Sequence, residues 1–285
     1  MKKKQILLPT DFSANARNAI EYAFFLLKDI ACEFHVLNAY EVGASALSST
    51  MGKVKETRLF LAVKEESERK VTGIVKDLKS KSNNPLHLIQ GHSIADSLVN
   101  GIGRFAIKNN IDYVFMGTKG SSAVKEVFMG SSTIKVIKYF NYCPIIAVPA
   151  SYNLKIPRKM VFATNFEHTY TAVELIPLIT IAQLWNSEII IAHVDRGTGL
   201  STEQENCRKL LDNRLYGLKH RFEEVNGASR ISEAIMTYTS KNENIELIAM
   251  INYWHSFFEK LTKENVIKRL AFYTEVPFLI FPLID

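Results

Sequence analysis

"KQILLPTDFSANARNAIEYAFFLLKDIACEFHVLNAYEV", Lys4 to Val42, runs from a short apolar stretch through a polar turn and an amphipathic segment to a second apolar stretch. From Lys159 to Gly197 the chain repeats that order as "KMVFATNFEHTYTAVELIPLITIAQLWNSEIIIAHVDRG". Ile6, Leu7 and Leu8 correspond to Met160, Val161 and Phe162, and Thr10, Asp11 and Phe12 to Thr164, Asn165 and Phe166. The segments closing each copy also match: "IDYVFMGTKG" and "CPIIAVP" in the first, "IELIAMINYW" and "VPFLIFP" in the second. Self-similarity on this scale predicts two related domains, 1–150 and 156–285. They join through "ASYNLKIPR", Ala150 to Arg158, which is polar and ends near a proline, as a short linker should.

Within the first copy, strands are predicted at Ile6–Leu8, Phe34–Asn38, Leu86–Gln90, Ile111–Met116 and Pro144–Val148. Ser13 is placed to cap a helix carrying Ala16, Ile20, Ala23 and Leu27. Lys53 to Ser80 has helical spacing through Leu59, Val63, Val71, Ile74 and Leu78. "SIAD" reads as a capping box, Ser93 with Asp96, opening a helix with Ile94, Leu98, Ile102, Phe105 and Ala106 on its apolar face. A further helix is predicted over Thr133–Phe140. Strands that are continuous apolar runs separated by helices belong in a parallel sheet covered on both faces. The expected fold is therefore a doubly wound α/β domain, present twice.

Composition narrows the class. With 285 residues, 47% hydrophobic and 22% charged, the chain is that of an ordinary soluble globular protein. The net charge of +6 is spread along the sequence, which suits anionic ligands but does not single out nucleic acid. Cys32, Cys143 and Cys207 lie far apart without metal-ligand spacing, against a disulfide framework or zinc site and in keeping with a reducing compartment. The basic start "MKKKQILLPTDF" breaks at Pro9 and Asp11, too soon for a signal peptide, and no stretch reaches the length of a membrane span. A cytoplasmic location is expected.

The stretch with most chemistry is "MGTKGSSAVKEVFMGSS", Met116 to Ser132. Glycine at the end of a strand lets the backbone turn and lets a ligand lie against it. Gly130, Ser131 and Ser132 stand where a helix begins, and the unpaired N–H groups of a helix start favour an anion. Lys119 and Lys125 add charge of the right sign, so the loop suits phosphate. If the first and fourth strands are neighbours, Asp11 faces this loop across the point where the strand order reverses. No Walker motif occurs. "GIGRFA", Gly101 to Ala106, spells a dinucleotide fingerprint but lies inside a helix, where glycines serve close packing. His92 follows the third predicted strand as a weak ligand candidate, and His168 has no equivalent in the first copy. "GASALSSTMGK", Gly43 to Lys53, is either a cover for a ligand or a plain loop. No catalytic triad or carboxylate pair can be assembled by spacing.

On these residues the first copy resembles a universal stress protein domain of the ATP-binding subgroup. The resemblance rests on "ILLPTDFS", on the signature G-x-x-G-x(9)-G-S matched by Gly117, Gly120, Gly130 and Ser131, and on "PIIAVP". It covers residues 3–150 by motif and 156–285 by pattern only. It implies a five-stranded parallel sheet of order 3-2-1-4-5 with ATP or AMP between strands one and four, and Mg only through the nucleotide's phosphates. Pro9, Thr10 and Asp11 would meet base and ribose, and Leu37 or Asn38 would line the adenine pocket. Met116, Gly117, Lys119, Gly120, Gly130, Ser131 and Ser132 would surround ribose and phosphates. It further implies two domains packed together as separate subunits are elsewhere; whether two such chains pair stays open. The implied function is regulatory nucleotide binding in the stress response. The rivals are a slow ATPase or a phosphoryl- or nucleotidyl-transferring enzyme, and a nucleotide-free scaffold.

The second copy departs from the motif. Asn165 replaces Asp11, Ile251 and Trp254 stand near Gly117 and Gly120, and Lys263-Glu264 near Gly130-Ser131. Those side chains would fill the phosphate's space, so this half is expected to bind no nucleotide in the ordinary way. "NYWHSFFEK", Asn252 to Lys260, is either an interface or an aromatic cluster closing the empty site.

Overall fold

The structure is a computed structural model and describes residues 3–41, 58–118, 131–195, 197, 199–226, 230–242, 244–252 and 265–283. In the first copy β1 (Lys4–Pro9), α1 (Ala14–Leu26), β2 (Cys32–Tyr40), α2 (Arg58–Lys81), β3 (Leu88–Ala95), α3 (Leu98–Asn109), β4 (Tyr113–Gly117), α4 (Ser131–Tyr139) and β5 (Ile145–Val148) follow one another. The second copy repeats the alternation with β6 (Lys159–Ala163), α5 (Ala172–Trp185), β7 (Glu188–Asp195), α6 (Thr202–Arg214), β8 (His220–Asn226), α7 (Ile231–Lys241), β9 (Ile245–Asn252), α8 (Val266–Tyr273) and β10 (Phe278–Pro282).

All ten strands form one sheet of order β3-β2-β1-β4-β5-β10-β9-β6-β7-β8. Each half reads 3-2-1-4-5 from its outer edge inward, with parallel neighbours, as a doubly wound domain requires. The halves meet at β5 and β10, which run antiparallel with Leu279 opposite Ile146. Strand alternation sends Ile6 and Leu8 into the core on one face and Leu7 into the core on the other. Burial on both faces explains why these strands are unbroken apolar runs.

The expected cap of α1 is present: Ser13 Oγ accepts from Ala16 N at 3.2 Å. The "SIAD" capping box is not. Ser93 and Ile94 lie inside β3, opposite Asn38 and Ala39, and the helix begins only after Ser97, whose side chain makes no capping bond. Strand pairing prevails because β2 runs on to Tyr40, whose carbonyl still accepts from Asp96 N at 3.1 Å. Asp96 turns the chain by accepting from Ser97 N at 2.8 Å. The third strand thus spans Leu88–Ala95 rather than Leu86–Gln90. Gly101 lies in α3, where a Cβ would meet that of Ala39 at 3.4 Å, so it belongs to helix–sheet packing.

A matched pair of carboxylates secures the start of each central strand. Asp112 accepts from Gln5 N at 2.8 Å, and Glu246 accepts from Arg158 N and Lys159 N at 3.1 and 3.2 Å. Asp112 stands immediately ahead of β4 and Glu246 is the second residue of β9, so each copy ties the start of its first strand to the start of its fourth.

Candidate functional site

β1 and β4 are parallel neighbours, with Leu7 opposite Val114, and β2 flanks β1 on the other side. The chain leaving β1 passes to β2 through α1, whereas β4 lies in the opposite direction. Pro9 and Gly117 therefore end their strands at the same edge of the sheet, at the point where the order reverses.

Thr10 N donates to the carbonyl of Leu37 at 2.8 Å, extending the β1–β2 pairing past Pro9. Its buried hydroxyl accepts from Phe12 N at 3.0 Å, and Asp11 Oδ1 accepts from Ser13 N at 3.0 Å. These side-chain bonds form a tight double turn, and they hold Phe12 at a φ of +66°, a conformation uncommon for a bulky residue. Asp11 itself remains exposed at the rim.

Asn38 supports the turn from beneath. Its Nδ2 donates to the Thr10 carbonyl at 2.6 Å and its Oδ1 accepts from Ser67 Oγ at 2.7 Å. Ser67 also meets the Ser93 hydroxyl. Neither serine stands out in the sequence, the first being isolated on a long helix and the second mimicking a cap. Beside them a cleft of about 380 Å³ opens between sheet and helix, lined by Phe12, Asn38, Tyr40, Val63, Glu66 and Ser67. Burial, with Glu68 adding to it, raises the Tyr40 phenol above its ordinary value.

Gly117 is glycine for a packing reason that can be measured. A Cβ there would stand 2.7 Å from the carbonyl oxygen of Asn15, in the backbone entering α1. Thr118 N continues the pairing to Val148 O at 2.9 Å, and Thr133 Oγ1 donates to Gly117 O at 2.8 Å, tying the first turn of α4 to the end of β4. Ser131 and Ser132 occupy that first turn, and Ser132 is exposed. Leu37 and Met116 also reach this edge, but their side chains are buried in the core with Leu7 and Ile102. Lys119, Gly120, Lys125 and Gly130 lie outside the described residues, as do the segments 43–53 and 253–264, which include Trp254, Lys263 and Glu264.

His92 sits within β3 opposite Leu37 rather than following the strand. Its Nε2 is 3.1 Å from Nδ1 of His35, and both rings lie against Phe105. His35 Nε2 lies 2.8 Å from Oε1 of Gln5. An amide oxygen only accepts, so Nε2 of His35 carries the proton and Nδ1 receives the bond from His92. Burial, and secondarily the neighbouring His35, lower His92 to about 4; burial lowers His35 as well. Both are neutral packing residues at ordinary pH.

The second copy reproduces the turn and loses the glycine. Thr164 N donates to Ala192 O at 3.0 Å, Phe166 N to Thr164 Oγ1 at 3.0 Å, and Glu167 N to Asn165 Oδ1 at 3.2 Å. Phe166 likewise has a positive φ, +56°. His193 takes the place of Asn38, with Nδ1 3.2 Å from the Thr164 carbonyl. The strand registers put Ile251 where Gly117 stands, and Ile251 is 1% exposed. Room for its side chain comes from α5, which starts at Ala172, about a turn later in the repeat than α1. The intervening Tyr170 is buried and its hydroxyl bonds Thr164 Oγ1 at 2.5 Å.

Among the described residues no group of three metal-ligating side chains stands together, and no helix is long and apolar enough to cross a membrane. The architecture defines a class: doubly wound α/β proteins, whose ligands as a rule lie at the switch point of the sheet. Within it, this chain belongs to the universal stress protein family, whose model matches residues 3–149. Universal stress protein MJ0577 of Methanocaldococcus jannaschii is 29% identical over 163 residues, covering 51% of this chain and 94% of that protein. Universal stress protein MJ0531 of the same organism is 26% identical over 145 residues, covering 51% and 81%. The crystal structure of a universal stress protein from Archaeoglobus fulgidus superposes with a TM-score of 0.68 at 16% identity, covering 99% of this chain and 97% of that one. That similarity extends the shared fold to both halves.

Proposed function

We propose that this chain is a nucleotide-binding regulatory protein with one working site, at the switch point of a first domain spanning 1–150. ATP or AMP is its ligand, with Pro9, Thr10 and Asp11 at base and ribose and the cleft beside Asn38 next to the base. Gly117, Lys119, Gly120, Gly130, Ser131 and Ser132 hold ribose and phosphates, and any Mg enters on the phosphates. The observation that carries this reading is the juxtaposition of the Asp11 turn with Gly117 and the start of α4 at one edge of the sheet. The second domain, 156–285, pairs with the first through β5 and β10 and provides the surface on which occupancy is read out. Ligand at about a hundred times its dissociation constant stabilises the binding fold by about 2.7 kcal/mol, ample to bias such a join.

The test is direct. Freshly purified protein is denatured and the released small molecules are identified by mass. About one equivalent of adenine nucleotide per chain is expected, since only one copy keeps the glycine signature. Gly120→Val and Gly130→Val should abolish nucleotide binding while unfolding stays cooperative. Unchanged ATP affinity in both variants would remove the loop from the site.

A further inference from the structure

The outward face of α5 carries no charge. The helix reads "AVELIPLITIAQLW", and Glu174, its one charged side chain, is buried and spent on the N-terminal cap, where it accepts from Thr171 N at 2.7 Å. The buried residues Glu174, Leu175, Leu178, Ile181 and Ala182 fix which side faces the sheet. Val173, Ile176 and Leu184 lie on the other side, 58%, 52% and 37% exposed, with the exposed Gln183 beside them. A surface helix ordinarily turns charged residues to water, as α6 does with Glu203, Glu205 and Asp212.

The first copy shows that the fold does not require this apolar stripe. Aligning the helices on their buried residues sets Ala19, Ile20, Ala23 and Leu26 of α1 against Glu174, Leu175, Leu178 and Ile181 of α5. Asn18, Glu21 and Asp29 then stand where the second copy has Val173, Ile176 and Leu184. The first copy's face also has a neighbour within the chain. Asn18 Nδ2 donates to the Pro149 carbonyl at 2.9 Å, Tyr22 meets the Tyr152 ring edge-on at 5.5 Å, and Leu154 shares a cleft with Glu21, Phe25 and Lys28. The more polar helix is covered by the segment leaving β5, and the apolar one stands open.

Two features say what fits the open stripe. A twofold contact between identical surfaces sets each charge near the axis against its own mate, so such a surface must be neutral along its middle, as this one is. The second feature is polar. Pro177 has no N–H, so the Val173 carbonyl lacks its helical donor. Where two α5 helices pack antiparallel about the level of Leu178, Val173 of each lies level with Gln183 of the other, whose amide can donate to that carbonyl.

We propose that α5 is a self-association surface, on which a second molecule of this chain docks through its own α5 in an antiparallel, twofold arrangement. The stripe is about 20 Å long and about 10 Å wide, well short of the roughly 800 Å² per partner of a standard interface, so pairing is reversible and rises with concentration. The surface is distinct from the β5–β10 join and does not rest on the nucleotide reading of the first copy.

The experiment is sedimentation velocity of the full chain from about 1 to about 200 µM, over which the mass is expected to climb from one chain towards two. Ile176→Glu installs the first copy's residue at an exposed position. It is expected to weaken pairing by about tenfold or more while the urea midpoint stays that of the parent. Ile176→Lys should do the same, and an equimolar mixture of the two variants should pair again, because opposite charges then meet near the axis. A single chain at every concentration overturns the proposal and leaves the stripe to a different protein. A dimer that Ile176→Glu leaves unchanged overturns it too, by placing the contact on another surface, and a mixture that stays monomeric overturns the twofold arrangement.

Discussion

Asn252, the last residue of β9, donates from Nδ2 to the carbonyl oxygen of Ile137 in α4 at 2.8 Å. The bond crosses between the copies. It reaches the last turns of the helix whose first turn holds Ser131 and Ser132, so one side chain of the second half grips the far end of the candidate phosphate helix.

Asn252→Ala should therefore act on both halves. A lost bond of this kind costs about 1 kcal/mol, and equilibrium urea unfolding is the measurement. If the grip also positions α4, ATP affinity should fall by a few-fold. An unchanged denaturation midpoint would show that the apolar β5–β10 join alone sets the contact.

Two glycines should respond in opposite directions. Gly117→Val drives side-chain atoms into the Asn15 backbone and should destabilise by about 1–3 kcal/mol. Gly73 lies inside α2, where a Cβ would meet nothing within 4 Å, and Gly73→Ala should stabilise by about 0.5–1 kcal/mol. Denaturation midpoints of the two variants against the parent decide both.

The His35–His92 pair makes stability depend on pH. The folded values are depressed and the unfolded chain protonates near 6.5, so the unfolded state binds more protons first. The pair's full contribution is present above about pH 6.5 and is lost as pH falls towards about 4, where His92 titrates in the fold. Glu33 acts on both rings in the opposite direction, lessening the loss. His92→Gln should flatten the stability profile over that window; a slope equal to the parent's would place the proton uptake elsewhere.

Asn38→Ala removes both bonds that support the turn after β1 and leaves the Thr10 carbonyl without its 2.6 Å donor. A cost of about 1–3 kcal/mol is expected, with a weaker ATP titration by calorimetry. Asn38→His, which installs the second copy's solution, should recover most of the stability.

Much of the fold is legible in the sequence, and the rest is hidden for identifiable reasons. Unbroken apolar runs such as Ile6–Leu8 disclose buried parallel strands, and the repeat at Lys159 discloses their duplication. Ser93 misleads because serine followed three residues later by an acid also occurs where a strand continues, and only the length of β2 decides between them. Gly117 is legible as a backbone position, but its neighbour, Asn15, is remote in sequence. The network of Asn38, Ser67 and Ser93 draws on three elements and leaves no local signature.

The antiparallel join of β5 to β10 has a consequence for concentration. A lone five-stranded unit with an open fifth strand must meet another molecule to cover it, and dilution parts them. Here the covering strand is carried on the same polypeptide at an effective concentration on the order of millimolar, which no dilution lowers. A half whose company is assured in this way can carry a buried Ile251 where the other half carries Gly117 and still keep its place in the sheet.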